Sequence, residues 1–221
     1  MIKWIIFDAM GVIFTEGDDV YKHLVPFIQE RRIISKEEIY IEYRRASLGE
    51  INSKTFWKYV GLGSEYPQIE KEYLDSRSDL DTGFVQVARS LSKKYGLGLL
   101  SNDIGKWSAY MRNKFSINFF DVVVISGDVY CRKPDPQIFA HFLKDADAYT
   151  EECIFIDDRN INLATAKSLG MKTIYFSRKE EKSEKKSEEK SDFIPDMCIT
   201  SFNQLEDAIE RICQKNRLQK T

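Results

Sequence analysis

Apolar runs recur along the chain at residues 3–7, 98–100, 122–125, 154–156 and 173–176, rich in Ile and Val and without polar alternation. A strand exposed on one face alternates; a strand buried on both faces does not. These runs therefore predict a parallel sheet covered on both sides. Between them the apolar positions change period. Phe84, Val87, Ala88 and Leu91 recur at helical spacing, as do Trp107, Tyr110 and Met111 with Lys114, then Ile138, Phe139, Phe142 and Leu143, then Leu163, Ala166 and Leu169. Strand–helix alternation of this kind is the sequence form of a doubly wound α/β fold. Residues 197–199 read as a short extra strand, and Phe202, Leu205, Ile209 and Ile212 as a closing amphipathic helix.

One insertion interrupts the alternation. Residues 15–80 carry no strand pattern. Leu24, Phe27, Ile28 and Arg31 predict one helix there. Ser35 and Glu38, spaced as a capping box, open a second, with Ile39, Tyr43 and Ala46 along it. Two more are expected over 53–60 and 68–76. The expected division is thus an α/β core from 1–14 and 81–221 with a helical cap from 15–80. An insertion directly after the first strand stands over the carboxyl edge of the sheet, where open α/β folds bind ligands. The segment 178–192 is a low-complexity mixture of Lys, Glu and Ser, and reads as a flexible charged loop.

Composition narrows the classes. The net charge of −2 provides no basic face for nucleic acid. No uncharged run approaches the roughly 18 residues of a membrane helix, and the N-terminus reads as a core strand rather than a signal peptide. Cys131, Cys153, Cys198 and Cys213 form no CxxC pair, so reduced structural thiols and a cytoplasmic location are expected.

The candidate chemistry lies at the strand ends. The first strand ends at Asp8, the second at Ser101, Asn102 and Asp103, and the fourth at Asp157 and Asp158; Lys133 follows the third. Singly, each has a plain structural reading. Asp103 and Asp135 suit helix N-caps, Asp135 with Pro136 at the first helical position. Ser101 suits a turn and Lys133 a solvated surface. The adjacent pair Asp157 and Asp158 is different. Two carboxylates closing an apolar strand repel each other unless a cation joins them, and oxygen-only ligands point to Mg²⁺.

Taken together, IIFDAMGVIF, LLSND, RKPDPQIF and FIDDRNINLATAKSLGMKTI resemble, in order and spacing, the four motifs of the haloacid dehalogenase superfamily, whose members are mostly phosphohydrolases on a Rossmann-like core. The likeness extends to about Arg178, and the KPDPxIF and DDxxxNxxxAxxxGM strings are similar to the subgroup with a helical cap after motif one. The resemblance implies roles. Asp8 would attack phosphorus and form an aspartyl-phosphate. Mg²⁺ would be held by Asp8, the Met10 carbonyl and Asp158, with Asp157 direct or through water. Ser101 and the Asn102 amide would bind phosphoryl oxygens, Lys133 would neutralise charge, and Asn162 would support the acidic pair. The substrate would be a small phosphorylated molecule.

Met10 departs from the pattern. The family motif reads hhhDxDGV, and phosphatases place at this position a second Asp that protonates the leaving alkoxide; losing a general acid–base group costs about 10²- to 10⁴-fold. Three readings stay open: a Mg²⁺-dependent phosphatase with another proton source or a leaving group that needs none; a metal-independent 2-haloacid dehalogenase, whose motif one, DAYGT, is similar but which lacks the acidic pair; and a non-catalytic binder of a phosphate ligand. In the insertion, Arg44 and Arg45 offer either contacts to an anionic substrate or, the preferred reading, solvated helix charges, and Trp57 and Tyr59 either a pocket wall or, again preferred, filling for the cap core.

Overall fold

The computed structural model describes residues 1–178 and 193–218. The chain runs β1 (Trp4–Phe7), one π-helical turn (Val20–Leu24) leading into α1 (Val25–Gln29), α2 (Lys36–Ser47), α3 (Ser53–Tyr59), α4 (Gln68–Ser76), α5 (Phe84–Leu91), β2 (Gly96–Ser101), α6 (Gly105–Lys114), β3 (Val122–Ile125), α7 (Ser126–Val129), α8 (Pro136–Asp145), β4 (Cys153–Asp157), α9 (Asn160–Ser168), β5 (Lys172–Phe176), β6 (Met197–Ile199) and α10 (Leu205–Leu218). Among the described residues no helix is long and apolar enough to cross a membrane.

The six strands form one sheet in the order β3-β2-β1-β4-β5-β6, every pair parallel. This is the doubly wound topology expected from the unalternating apolar runs, and both faces are indeed buried. On one face Ile5, Phe7, Leu97 and Leu99 pack with Phe84 of α5 and Ile209 of α10. On the other, Ile6, Leu100 and Phe155 pack with Phe139 and Phe142 of α8 and Leu163 of α9. Successive residues of one strand thus enter opposite cores, which is why polarity does not alternate. β2 is longer than its apolar run of 98–100, taking in Gly96, Leu97 and Ser101 as well. A Cβ on Gly98 would stand 2.3 Å from the Phe142 ring, so the glycine admits that ring against the sheet.

The chain leaves the sheet after β1 and returns through residues 77–80. Between lie only helices and a π-helical turn, apart from isolated bridges joining Phe14 to Met10 and to Leu80. The Ser35–Glu38 capping box forms at the start of α2, and Asp135 caps α8. The first helix is shifted from the expected pattern: it begins at the π-helical turn and ends before Arg31. Trp57 is fully buried, but Tyr59 is 50% exposed, so only the first of the two aromatics fills the interior. The insert's apolar cluster is shared with the core domain's own sequence: Ile104 and Trp107 pack with Leu24, Ile28, Phe56, Trp57 and Tyr73. At its centre the buried Glu70 carboxylate accepts from Trp107 Nε1 at 2.8 Å and Trp57 Nε1 at 3.3 Å, and pairs with Lys106.

Two local readings change. Asp103 is not the N-cap of α6; Ile104 occupies that position with no side-chain cap. Asp103 is buried instead, its Oδ2 accepting from Arg77 Nη1 at 2.9 Å. Of the charge-rich stretch expected at 178–192, residues 179–192 lie outside the described residues. Arg178 itself is fixed: it donates to the carbonyls of Gly11 and Val12 and pairs with Asp81 at 2.7 Å.

Candidate active site

The sheet order reverses direction at β1, whose neighbours are β2 on one side and β4 on the other. Strand carboxyl ends diverge at such a switch point and leave a crevice. Asp8 follows β1, Ser101 ends β2, and Asp157 and Asp158 close β4. Lys133 reaches the same point from the loop before α8. Its Nζ lies 2.7 Å from Asp8 Oδ1 and 2.8 Å from Asp157 Oδ2, and its side chain is 1% exposed. The solvated-lysine reading therefore fails: two carboxylates draw the ammonium into the interior.

The carboxylates differ in how they are satisfied. Asp157 is completely buried; it accepts from Lys133, from both contacts of Asn162 Nδ2 at 3.1 and 3.0 Å, and from the Arg159 amide at 2.8 Å. Asp8 Oδ1 accepts from the Ala9 amide at 2.7 Å as well as from Lys133. Asp158 Oδ1 is buried with no hydrogen-bond partner. Ligand oxygens of Asp8, Asp157 and Asp158 lie within 4.8 Å of one another. A buried, unpartnered carboxylate oxygen beside two further carboxylates fits a hard cation with oxygen ligands. Asp8 and Asp158 both line the cavity, whereas Asp157 is held behind them.

Burial and mutual repulsion set the protonation preferences. Burial pushes the Asp8 carboxyl up to about 6, with Lys133 opposing and Asp157 adding to the rise. Burial, followed by the charges of Asp157 and Asp8, holds Asp158 well above the ordinary carboxylate range. For Lys133, burial disfavours the charged form, but Asp157 and Asp8 together outweigh it and raise the ammonium above its ordinary value. A cation placed among the carboxylates would favour their charged forms.

The remaining expected residues occupy the same crevice. Ser101 is 1% exposed and lines the cavity with Asn102. Asn102 accepts from the Lys133 amide at 2.8 Å and donates to the Lys133 carbonyl at 2.9 Å. Met10 is half-buried, packs on the core and lines the cavity, so no titratable side chain stands at that position. Gly11 turns the chain at φ +79°, and a Cβ there would fall 2.3 Å from Asp158 Oδ2. The glycine lets the backbone after Asp8 pass against the acidic pair.

Residues the sequence did not single out complete the cavity, which has a volume of about 1260 Å³. Arg132 and Arg159 adjoin Lys133 and Asp158 in sequence, and that adjacency was the available signal. Tyr40 and Tyr43 come from α2, beside Arg44, which the sequence had offered and which lines the cavity rather than standing as a helix charge alone, and two more come from the connections between insert and core, Asp19 and Arg77. The last two form a buried pair at 2.7 Å that also engages Tyr73 and Asp103. Nothing in the sequence pattern pointed to it.

This crevice, with its carboxylates, lysine and serine at strand ends, belongs to a recognised class. The chain matches the haloacid dehalogenase-like hydrolase family over residues 5–176 and is a member of it. Among curated relatives it is 27% identical over 190 residues to a D-ribitol-5-phosphate phosphatase of Bacteroides thetaiotaomicron, covering 78% of this chain and 91% of that protein. It is 32% identical over 128 residues to a glyceraldehyde 3-phosphate phosphatase of Pyrococcus furiosus, covering 57% of this chain and 52% of that protein. A 29% identity over 157 residues links it to the drimenol cyclase drtB of Aspergillus calidoustus, covering 65% of this chain but only 28% of the cyclase. The chain thus spans about half or less of the length of two of these relatives. In three dimensions it resembles a family enzyme of B. thetaiotaomicron, solved as an aspartate-to-alanine mutant with magnesium and inorganic phosphate (TM-score 0.71, 23% identity, 83% of this chain and 98% of that one). It also resembles a 2-haloacid dehalogenase of Pseudomonas syringae pv. Tomato (TM-score 0.69, 18% identity, 96% and 99%). At these identities both structures speak to the fold.

Proposed function

We propose that the protein is a Mg²⁺-dependent phosphomonoester hydrolase acting on a small metabolite. The observation that carries this reading is the buried, unpartnered Oδ1 of Asp158, in a residue whose carboxylate lies within 4.8 Å of those of Asp8 and Asp157, where Lys133 already binds the other two. A metal-independent dehalogenase would have no use for that third carboxylate. Curated relatives named as phosphatases of ribitol 5-phosphate and glyceraldehyde 3-phosphate support the substrate class.

Asp8, Asp158 and the Met10 carbonyl would hold the ion, with Asp157 behind; when bound, it offsets the repulsion between an anionic nucleophile and a dianionic phosphate. Lys133 orients Asp8 Oδ1, leaving the carboxylate to attack phosphorus in line. The P–O bond to the alcohol breaks as the aspartyl-phosphate forms, and water then cleaves it to phosphate. Ser101 and the Asn102 amide would receive phosphoryl oxygens. Residues 15–80 act as a cap, because α2 contributes Tyr40, Tyr43 and Arg44 to the cavity that holds Asp8. Met10 holds no proton to give, so the alkoxide takes its proton elsewhere or the natural leaving group needs none.

The test is turnover of para-nitrophenyl phosphate, a leaving group that needs little protonation. Mg²⁺-dependent release of nitrophenol, lost in Asp8→Asn, is the expected result. In Met10→Asp, turnover of alkyl phosphates rises by roughly 10-fold or more. Failure on every phosphate ester, with 2-chloropropionate hydrolysed in the presence of a chelator, would sink the reading.

A further inference from the structure

Five arginines line the cavity. Arg77 is paired with Asp19 and Asp103, and Arg178 with Asp81, which leaves Arg44 from α2, Arg132 from the loop before Lys133, and Arg159 after β4. Their electrostatic surroundings differ. Arg159 stands among Asp158, Asp8, Asp157 and Asp18, whose charges outweigh its burial and hold it above its ordinary value. It serves to balance the acidic group.

Arg132 has no such answer. Its guanidinium donates to Ser47 Oγ at 3.1 Å, and among the described residues it makes no ion pair. Burial depresses it below its ordinary value; Tyr43 and Tyr40 oppose that fall, and Arg44 and Arg159 deepen it. Arg44 likewise makes no ion pair among the described residues, while its neighbour Arg45 takes Glu42 at 2.9 Å and Glu50 at 3.6 Å. Of two consecutive arginines on α2, one is paired on the surface and the other lines the cavity uncompensated. One hydrogen bond to a serine uses a single donor of the five on a guanidinium. Two such groups facing one cavity repel each other and gain most from an anion between them.

We infer that Arg132 and Arg44 form a subsite for a second anionic group of the substrate, a carboxylate or a second phosphate, in addition to the phosphoryl group at Asp8. Calling the first group the transferred phosphoryl rests on the phosphatase reading; the existence of the anion subsite does not. Arg132 and Lys133 are consecutive, so their Cα atoms lie about 3.8 Å apart. Lys133 reaches Asp8 while Arg132 reaches Ser47 of the insert. The two charges thus serve different ends of one cavity, and the substrate class is a small phosphorylated acid or a bisphosphate.

The experiment is calorimetric titration of the Asp8→Asn protein, with Mg²⁺ present, using 3-phosphoglycerate, propane-1,3-diyl bisphosphate and glycerol 3-phosphate. At least one of the first two ligands binds about 10-fold or more tightly than glycerol 3-phosphate; the tighter of them identifies carboxylate or phosphate as the preferred second anion. Arg132→Gln and Arg44→Gln each bring the ratio toward one. Arg44 is exposed, so its variant isolates the charge without disturbing packing. Equal or absent binding of the doubly anionic ligands, or a preference that survives both substitutions, overturns the subsite. Turnover of para-nitrophenyl phosphate by the wild-type protein is measured in parallel. Selectivity without turnover removes the phosphatase reading and keeps the subsite; turnover without selectivity does the reverse.

Discussion

Asn102 grips the backbone of Lys133 from both sides, accepting from its amide at 2.8 Å and donating to its carbonyl at 2.9 Å. The side chain so fixed places Nζ 2.7 Å from Asp8 Oδ1. A residue at the end of β2 thus determines where the charge opposite β1 stands, across 31 positions of sequence. Removing both bonds in Asn102→Ala leaves a buried amide and carbonyl unpaired. The expected cost is about 2 kcal/mol in urea unfolding, with kcat/KM down roughly 10²-fold as Lys133 loses its position. Asn102→Asp retains the acceptor but sets an oxygen against the Lys133 carbonyl, so it also fails to restore activity.

Gly11 is constrained twice. Its φ of +79° disfavours any side chain, and a Cβ would sit 2.3 Å from Asp158 Oδ2 and 2.6 Å from its Cγ. Gly11→Ala should therefore push Asp158 from the cavity. The expected signature is a loss of the Mg²⁺-induced rise in melting temperature that exceeds the loss of stability itself, about 1–3 kcal/mol for the strained backbone. A variant that melts lower yet responds normally to Mg²⁺ would show that Asp158 had not moved.

Glu70 tests the seam between insert and core. Its carboxylate joins Trp57 of α3 to Trp107 of α6. In Glu70→Leu both indole N–H groups lose their acceptor inside an apolar cluster, a loss of about 3 kcal/mol. Glu70→Gln keeps one carbonyl oxygen and recovers part of that. Urea denaturation followed by tryptophan fluorescence reads both, and a neutral Glu70→Leu would refute the role given to the carboxylate.

The carboxylates at β1 and β4 link stability to pH. Burial raises the Asp8 carboxyl from 3.8 to about 6, so the folded protein binds more protons than the unfolded chain between those values. Stability contributed by this group is fully present below 3.8 and is lost as pH rises through about 6. Asp158 acts in the same direction. A cation reverses the preference, so Mg²⁺ should raise the melting temperature more at about pH 7.5 than at about pH 5. Equal shifts at both values would mean that Mg²⁺ does not sit among these groups.

Much of the sheet was legible because burial on both faces leaves a compositional trace in each strand, and the strand ends could be read off with it. Lys133 and Asp103 show where local reading stops. Each looks like an ordinary surface or capping residue beside its own neighbours. Each is redefined by a partner far along the chain: Asp8 and Asp157 for the lysine, Arg77 for the aspartate. The pairing of Arg77 with Asp19 spans 58 positions and has no periodicity to announce it. Tyr59 erred in the other direction, since α3 turns Trp57 inward and leaves the residue two places on facing solvent.

The aromatic cluster around Trp107 has a bearing on how such proteins could be recombined. Along the chain, residues 15–80 look like a detachable cassette. In space their apolar interior is finished by Ile104 and Trp107, which lie beyond β2. A chimera that exchanges 15–80 alone would strand an indole and a carboxylate matched to a partner no longer there. The transferable unit is the insert together with Ile104 and α6, and grafts cut at that wider boundary should be the ones that remain soluble.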